Sequence, residues 1–262
     1  MKIAELLYRG INRIRRALYR AGVLKPKRLP VPVISVGAIA AGGSGKTPAT
    51  IAIAGALVAR GLRVGVLTRG HGREGAGGVI TGLDPARYGD EPVLIKKRLP
   101  QVEVIVGKNR YENAVRNKAD VFVLDDGFQH LQLHRDVDVV IDHPSSFFRE
   151  GRSALRDADV ILPRKIRLTV PQLLKGARVF AFAGLADNDQ FFRSLGLELS
   201  GTRSFPDHHR YSAADVAAIK SAANGAPIVT TEKDAVKIQD PAIIAIPIEF
   251  VIDDIDSIIR RV

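Results

Sequence analysis

Two hydrophobic periodicities alternate along the chain. Between residues 33 and 142, short runs of apolar and β-branched residues are separated by stretches in which apolar residues recur every three or four positions. The runs predict strands at 33–36, 64–68, 102–106, 121–124 and 137–141, and the stretches predict helices at 48–60, 91–98 and 110–117. Apolar strands that alternate with helices are typical of a mostly parallel sheet with helices on both faces. We therefore predict an α/β fold for this part.

A second series follows, with strands predicted at 160–162, 179–183, 228–231 and 248–251 and helices at 188–195 and 213–222. Pro, Ser and Gly cluster at 142–152, which predicts a boundary between two domains. The predicted parts are a basic amphipathic helix at 1–28, a P-loop domain at 29–145 and a second, smaller α/β domain at 146–252. The last residues, 253–262, are predicted to return to the first domain.

The predicted N-terminal helix is amphipathic and basic. Its apolar residues lie on one helical face: Ile3, Leu6, Leu7, Ile11, Ile14, Leu18 and Tyr19. Nine of the 39 basic residues and one of the 28 acidic residues lie in the first 30 positions. Such a helix can lie in a membrane interface beside anionic lipid, or it can pack its apolar face on the protein's own core. A nucleic-acid arm is disfavoured, because aromatic residues are few and no nucleic-acid module is present.

Composition narrows the class of protein further. The chain has 262 residues and no cysteine, so it has neither disulfides nor cysteine metal sites. No apolar run is long enough to span a bilayer. Charges interrupt the apolar positions at the N-terminus, which argues against a signal peptide. A cytoplasmic location is the default expectation.

The stretch "AAGGSGKTP" lies between the strand at 33–36 and the helix at 48–60, the context that a phosphate-binding P-loop requires. We predict that Lys46 reaches the β- and γ-phosphates of ATP and that the Thr47 hydroxyl binds Mg²⁺. The usual pattern has a glycine where Ala40 stands, and a plain strand–helix turn is the alternative interpretation. The predicted nucleotide-binding residues are Ala40, Ala41, Gly42, Gly43, Ser44, Gly45, Lys46 and Thr47.

Two acids, Asp125 and Asp126, end the apolar strand at 121–124. An acid at the carboxyl end of a neighbouring strand lies at the crevice where such sheets bind ligands, so we predict that Asp125 binds Mg²⁺. Adjacent strand residues point to opposite faces, so Asp126 is a separate catalytic candidate. Without the P-loop, the pair would suggest only a solvated strand end. The order of residues in Thr231-Glu-Lys-Asp234 differs from a GTPase base-reading motif, which disfavours a GTPase.

Further motifs occur in a fixed order along most of the chain: "VPVISVGAIAAGGSGKTP" (31–48), "LTRGHGR" (67–73), "GDEPVLI" (89–95), "LDDGFQH" (124–130), "FPDHHRYS" (205–212) and "TTEKDAVK" (230–237). With these motifs the chain resembles the tetraacyldisaccharide 4′-kinases, the lipid A 4′-kinases of Gram-negative bacteria. The resemblance implies transfer of the γ-phosphate of ATP to the 4′-hydroxyl of tetraacyldisaccharide 1-phosphate in lipid A biosynthesis.

It also implies two α/β/α domains joined by a hinge, with the active site between them. The N-terminal helix would hold the enzyme peripherally on the cytoplasmic face of the inner membrane. We expect the lipid substrate and the membrane surface as partners, no nucleic acid, and a monomer.

The resemblance assigns the general base to Asp90 and pairs it with His208, the histidine that directly follows the motif's aspartate. His209 is adjacent and is the less favoured choice. From the residues alone, Asp90 equally fits a helix N-cap and His208 a surface-loop histidine. The roles of four more residues stay open: Arg69, Arg73, Arg110 and His130.

Two departures from the family pattern remain. Ala38 stands where an asparagine is usual, and the segment 145–152 is shorter than the usual Gly- and Pro-rich one. The alternative functions are a P-loop phosphotransferase or ATPase with another substrate, and a nucleotide-regulated membrane adaptor without enzymatic activity.

Overall fold

The computed structural model describes residues 2–145, 147–238 and 240–262. Met1, Ser146 and Gln239 lie outside the described residues, as do the side chains of residues 2–4. Ile3 of the predicted apolar face and Ser146 of the shortened segment therefore carry no structural account. The described chain forms two sheets and a two-stranded ribbon.

The larger sheet has seven strands in the order β3-β4-β2-β5-β1-β6-β7, with β3 antiparallel to β4 and the other neighbours parallel. Its strands are β1 (Val33–Ala38), β2 (Val64–Thr68), β3 (Gly78–Val79), β4 (Glu103–Val106), β5 (Val121–Asp125), β6 (Val137–Asp142) and β7 (Val160–Pro163). The central strands β1, β2 and β5 are buried along their whole length, because helices cover both faces. The predicted α/β fold is confirmed.

The helices of this part are α1 (Lys2–Arg20), α2 (Lys46–Val58), α3 (Pro85–Tyr88), α4 (Asp90–Arg98) and α5 (Arg110–Val115). The helix α2 buries Ala49, Ile53 and Leu57, one residue per turn along a single face. This face fixes the start of α2, and with it the P-loop, against the centre of the sheet.

The smaller sheet is parallel, in the order β10-β9-β11-β12. Its elements, with the ribbon and the C-terminal helix, are β8 (Ile166–Leu168), β9 (Arg178–Ala183), α6 (Asn188–Ser194), β10 (Glu198–Ser204), α7 (Ala213–Ala223), β11 (Ile228–Thr231), α8 (Glu232–Ala235), β12 (Ile243–Ile246), β13 (Ile248–Phe250) and α9 (Ile255–Ile259). Antiparallel pairing of β8 with β13 forms the ribbon. The C-terminal helix α9 contacts α2 and buries Ile258 and Ile259 in the core of the larger sheet.

Two strands differ from the predicted arrangement. The run at 160–162 was expected in the second domain, but β7 pairs in parallel with β6 at the edge of the larger sheet. The segment 143–159 is thus a crossover within that sheet. The run at 248–251 was expected to extend the second series of strands, but β13 pairs with β8 in the ribbon.

The N-terminal helix docks through its polar face. Asn12 and Arg16 are buried, whereas Leu7, Ile11 and Ile14 are 64, 57 and 63% exposed. The interpretation that the apolar face packs on the protein's own core is therefore wrong. The helix ends at Arg20, short of the predicted residue 28, and Lys27 then forms a bridge to Leu133. Within the described residues, no helix has both the length and the hydropathy that a membrane crossing needs.

Arg16 explains why the polar face is the one that docks. Its guanidinium donates to Glu150 Oε1 at 2.8 Å, to Asp157 Oδ2 at 3.0 Å and to the Phe128 carbonyl at 3.0 Å. It also lies 4.0 Å from the centre of the Phe128 ring. These partners satisfy the charge of a side chain that is almost fully buried.

We predict that Arg16→Ala lowers the free energy of unfolding by about 3 kcal/mol or more, because it leaves the Glu150 carboxylate buried without its cation. Urea titration followed by circular dichroism measures this change. The control is Arg13→Ala, an exposed arginine on the same helix, for which we expect a change within about 0.5 kcal/mol. Equal stability of the two variants would contradict the docking described for α1.

Candidate active site

The loop between β1 and α2 has the backbone of an anion-binding site. Gly42, Gly43 and Gly45 have φ angles of 70°, 55° and 81°, in the left-handed region that favours glycine. A side chain at Gly45 would also approach the Phe250 ring to 3.2 Å. Successive N–H groups in such a loop converge on one point and, with the start of α2, attract a phosphate.

The side chains that follow the loop complete this site. Lys46 Nζ lies 3.1 Å from Ser44 Oγ and 3.6 Å from Asp126 Oδ1. Thr47 is buried in the first turn of α2. Ala40, which replaces the usual glycine, is buried and forms a bridge to Phe148. Ala40 is therefore part of the support of the loop.

The segment 147–150 supports the loop from the other side. The Ala41 N–H donates to the Phe147 carbonyl at 3.0 Å, and the Arg149 N–H donates to the Ile39 carbonyl at 2.8 Å. The segment 147–150 thus acts as a short antiparallel partner of the phosphate loop. The sequence showed that this segment is short, but no motif in it predicted the contact with the phosphate loop.

Asp125 lies at the carboxyl end of β5, and its carboxylate accepts from two hydroxyls. Thr50 Oγ1 is 3.1 Å from Oδ1, and Thr68 Oγ1 is 3.3 Å from Oδ2. Burial, with the nearby charges of Glu91 and Asp126, raises the pKa of Asp125 to about 7, although Lys46 opposes the shift. At neutral pH this group is therefore partly protonated.

Asp126 follows directly but turns away, with a left-handed φ of 53°. Arg149 Nη1 lies 2.9 and 2.7 Å from its two oxygens. Burial opposes ionisation, but the charges of Lys46 and Arg149, the bonds from Arg149 and the charge of Arg110 hold the pKa of Asp126 below its ordinary value. Arg149 was missed in the sequence analysis, because only the crossover brings it to the end of β5.

Asp90 and His208 come together across the two sheets. Asp90 is the first residue of α4, and Gly89 occupies the N-cap position, so the N-cap interpretation of Asp90 is wrong. His208 Nδ1 lies 3.3 Å from Asp90 Oδ2, and Lys237 Nζ lies 3.7 Å from the same oxygen. His209 instead contacts Asp215 at 3.2 Å and stacks on Phe205.

The contacts of His208 fix its tautomer. Lys233 Nζ lies 3.3 Å from Nε2. A lysine ammonium can only donate, so Nε2 accepts and the ring proton of the neutral imidazole is on Nδ1. This proton points to Asp90, where it orients the carboxylate. Glu91, the next residue of α4, lies close enough to Asp125 to raise its pKa, so α4 brings Asp90 to the edge of the P-loop site.

The four residues whose roles the sequence left open lie in different surroundings. Arg110 is buried, and its Nη1 lies 3.2 Å from His130 Nδ1. Burial and neighbouring arginines lower the pKa of His130 to about 3, which keeps it neutral. Arg73 donates to the carbonyls of its own loop, at Gly75 (3.0 Å) and at Arg69. The Arg69 side chain is exposed.

The donor set at this edge of the sheet suits Mg²⁺ bound together with phosphate. Thr47 and Asp125 supply a hydroxyl and a carboxylate, the hard oxygens that Mg²⁺ prefers. Within 2–145, 147–238 and 240–262, no group of three or more His, Cys, Asp or Glu side chains has the geometry of a metal site.

Comparison with known proteins identifies one family. A family model described as tetraacyldisaccharide-1-P 4′-kinase (LpxK) matches residues 1–165 and 163–262. The tetraacyldisaccharide 4′-kinase of Anaeromyxobacter dehalogenans strain 2CP-1 is 38% identical over 312 residues, which cover 93% of this chain and 81% of the relative. The tetraacyldisaccharide 4′-kinase of Aquifex aeolicus strain VF5 is 34% identical over 283 residues, which cover 89% of this chain and 87% of the relative.

A solved structure of a protein from the same family also matches this chain. The crystal structure of "apo" form LpxK from Aquifex aeolicus in complex with ATP superposes with a TM-score of 0.81 at 30% identity, covering 98% of this chain and 95% of that one. The match extends over both sheets.

We predict opposite pH effects for the two adjacent acids, measured without nucleotide or Mg²⁺. The folded chain keeps the Asp125 proton up to about pH 7, whereas an unfolded aspartate loses it near pH 4. Wild-type stability therefore falls as pH rises through this window. Asp125→Asn removes this effect, so the variant should gain stability over wild type between about pH 4 and about pH 8.

Asp126→Asn is the matched control. The lowered pKa of Asp126 contributes stability that is present above the unfolded pKa and is lost as pH falls through the folded pKa. This variant should therefore lose stability against wild type at neutral pH, and the loss should disappear in acid. Urea titrations across this pH range measure both effects, and a change of the same sign in both variants would show that the charge assignment is wrong.

Proposed function

Because the chain belongs to the tetraacyldisaccharide-1-P 4′-kinase family, it is a kinase of that family, and we propose that it transfers the γ-phosphate of ATP to the 4′-hydroxyl of tetraacyldisaccharide 1-phosphate. The observation that carries the proposal is the carboxylate of Asp90, oriented by His208 beside a P-loop. The Aquifex aeolicus relative was crystallised with ATP, which supports ATP as the donor.

In this proposal, residues 40–47 bind the phosphates of ATP. Backbone N–H groups of the loop and Lys46 contact phosphate oxygens, and Thr47 and Asp125 hold Mg²⁺. When bound, Mg²⁺ neutralises phosphate charge. The carboxylate of Asp126 contacts both Lys46 and Arg149. It therefore positions both cations beside the transferred phosphate.

Asp90 accepts the proton of the 4′-hydroxyl. As the new bond between the 4′-oxygen and the γ-phosphorus forms, the bond to the β–γ bridging oxygen breaks and ADP leaves. The hydroxyl proton moves to the Asp90 carboxylate, which the Nδ1–H of His208 holds in place. Lys237 Nζ lies 3.7 Å from the same carboxylate and forms an ion pair with it.

We further propose that the two sheets behave as domains joined by a hinge at the ribbon of β8 and β13. Two contacts join the part of the chain around the larger sheet to the part around the smaller sheet. One is between Asp90 and His208. The other is between Arg98 and Glu232, whose side chains lie 3.0 Å apart. Glu232 also accepts from the N–H of Ile248 in the ribbon. Movement at the hinge would therefore change the distance between Asp90 and His208.

The outward apolar stripe of α1 supports peripheral attachment to a membrane, which we assign to the cytoplasmic face of the inner membrane. Leu6, Leu7, Ile11 and Ile14 are each more than half exposed. An apolar stripe flanked by arginines is typical of a helix that lies in the lipid interface. Attachment there would bring the enzyme to its tetraacylated substrate. We propose that the enzyme acts as a monomer.

We predict that Asp90→Asn lowers kcat for transfer to tetraacyldisaccharide 1-phosphate in detergent micelles by about 100-fold or more, because a general base contributes about that factor. His208→Asn, which removes the orienting group, should lower kcat by about tenfold. The matched control is His209→Asn, expected to stay within about threefold of wild type. Assays with γ-labelled ATP give these rates.

The proposal is wrong if folded Asp90→Asn keeps wild-type transfer. ATP hydrolysis by the wild type without a phosphorylated lipid would point instead to another acceptor.

A separate variant tests membrane attachment. Ile14→Ser should weaken binding to phospholipid vesicles by about tenfold, since an isoleucine side chain contributes about 1.5–3 kcal/mol when buried in an apolar phase. The control is Leu173→Ser, which alters an exposed leucine between β8 and β9. Equal losses in vesicle sedimentation would show that α1 is not the attachment site.

A further inference from the structure

A groove of about 290 Å³ runs along one flank of α1, between that helix and the turn at 150–154. Four arginines of α1 line it, together with Ser153: Arg9, Arg13, Arg16 and Arg20. A side chain at Gly151 would come within 3.3 Å of Arg9 Nη2, so the glycine leaves room for that guanidinium.

The groove retains positive charge after its internal ion pairs are formed. Glu150, the acid in its lining, pairs with Arg16 and also accepts from Gln129 at 2.9 Å. Asp157 pairs with Arg20 at 2.6 Å. Arg9 lies 3.6 Å from Glu5, a long contact at the surface. Arg13 has no acidic partner among the residues that the structure describes, and its side chain is available to a ligand.

The position of the groove indicates what that ligand is. Leu6 lines the groove and also belongs to the outward apolar stripe, where it is 65% exposed. A site at the border of such a stripe lies at headgroup depth when the stripe enters the acyl region. Guanidinium groups bind phosphate oxygens through paired N–H donors, and the Ser153 hydroxyl adds another donor.

We propose that this groove binds the phosphate headgroup of an anionic phospholipid, whose acyl chains continue along the apolar stripe of α1. The inference rests on the proposed membrane attachment and adds a defined lipid site to it. Neither Asp90 nor His208 lines the groove.

Arg15 provides a charge-matched comparison for Arg13. Two residues correspond to a rotation of about 200° around a helix, so Arg15 lies on the opposite flank of α1, and it does not line the groove. Both arginines flank the same apolar stripe. Diffuse attraction to an anionic surface depends on both charges, whereas a site in the groove depends on Arg13.

The experiment measures sedimentation of the full chain with phosphatidylcholine vesicles that contain or lack phosphatidylglycerol. We expect Arg15→Gln to weaken binding to the anionic vesicles by about fivefold, the effect of one basic residue near the surface. Arg13→Gln should weaken it by about 30-fold, because a charge-assisted hydrogen bond is lost as well. Ser153→Ala, which changes no charge, should weaken it by about threefold. None of the three should change binding to pure phosphatidylcholine.

Equal losses for Arg13→Gln and Arg15→Gln would overturn the proposal in favour of diffuse electrostatics. Displacement from the vesicles by millimolar glycerol phosphate at constant ionic strength, seen with the wild type but not with Arg13→Gln, would support it, since glycerol phosphate carries the same phosphate as the headgroup. If the wild type binds no vesicle at all, both membrane attachment and this inference fail. Transfer to the disaccharide in detergent micelles tests the kinase activity separately.

Discussion

One residue, Arg149, connects the parts of the structure on which the candidate active site depends. Its side chain bonds both oxygens of Asp126, its N–H donates to Ile39 in the phosphate loop, and its carbonyl accepts from Asn12 of α1 at 3.1 Å. Arg149 thus connects three parts of the structure: the end of β5, the phosphate loop and the N-terminal helix. The next residue, Glu150, adds the buried pair with Arg16. The docking of α1 and the position of the phosphate loop therefore depend on the same segment.

This arrangement gives two adjacent aspartates opposite electrostatic surroundings. Asp125 faces hydroxyls and carboxylates, and burial raises its pKa to about 7. Asp126 faces Lys46 and Arg149, which hold its pKa low. Asp125 is suited to binding a cation that displaces its proton. Asp126 is suited to staying charged, so that it positions two cations. The left-handed backbone at Asp126 separates the two environments, because it turns the second side chain away from the first.

The sequence predicted most of the larger sheet, since its central strands are apolar runs buried on both faces. The edge strand β7 was placed in the wrong domain because it alternates half-buried and exposed residues and because composition does not distinguish a crossover from a linker. The helical periodicity of α1 established an amphipathic helix but not which face docks, which depends on Glu150 and Asp157 far along the chain. The P-loop and the two acids at the end of β5 were predicted from local patterns, and Asp90 and His208 were predicted from the family resemblance. The comparisons confirm the family. Arg149 was missed, because its partners are distant in sequence.

We propose that one crevice holds both the phosphate donor and the 4′-hydroxyl of the lipid, so that the phosphate is transferred to that hydroxyl. The most direct measurement is a phosphorus–proton correlation spectrum of the lipid recovered after incubation of the wild-type chain with ATP, Mg²⁺ and tetraacyldisaccharide 1-phosphate. We expect a second phosphate whose phosphorus correlates with the proton at the 4′-carbon. A phosphate at another hydroxyl, or unchanged lipid accompanied by ADP, would contradict it.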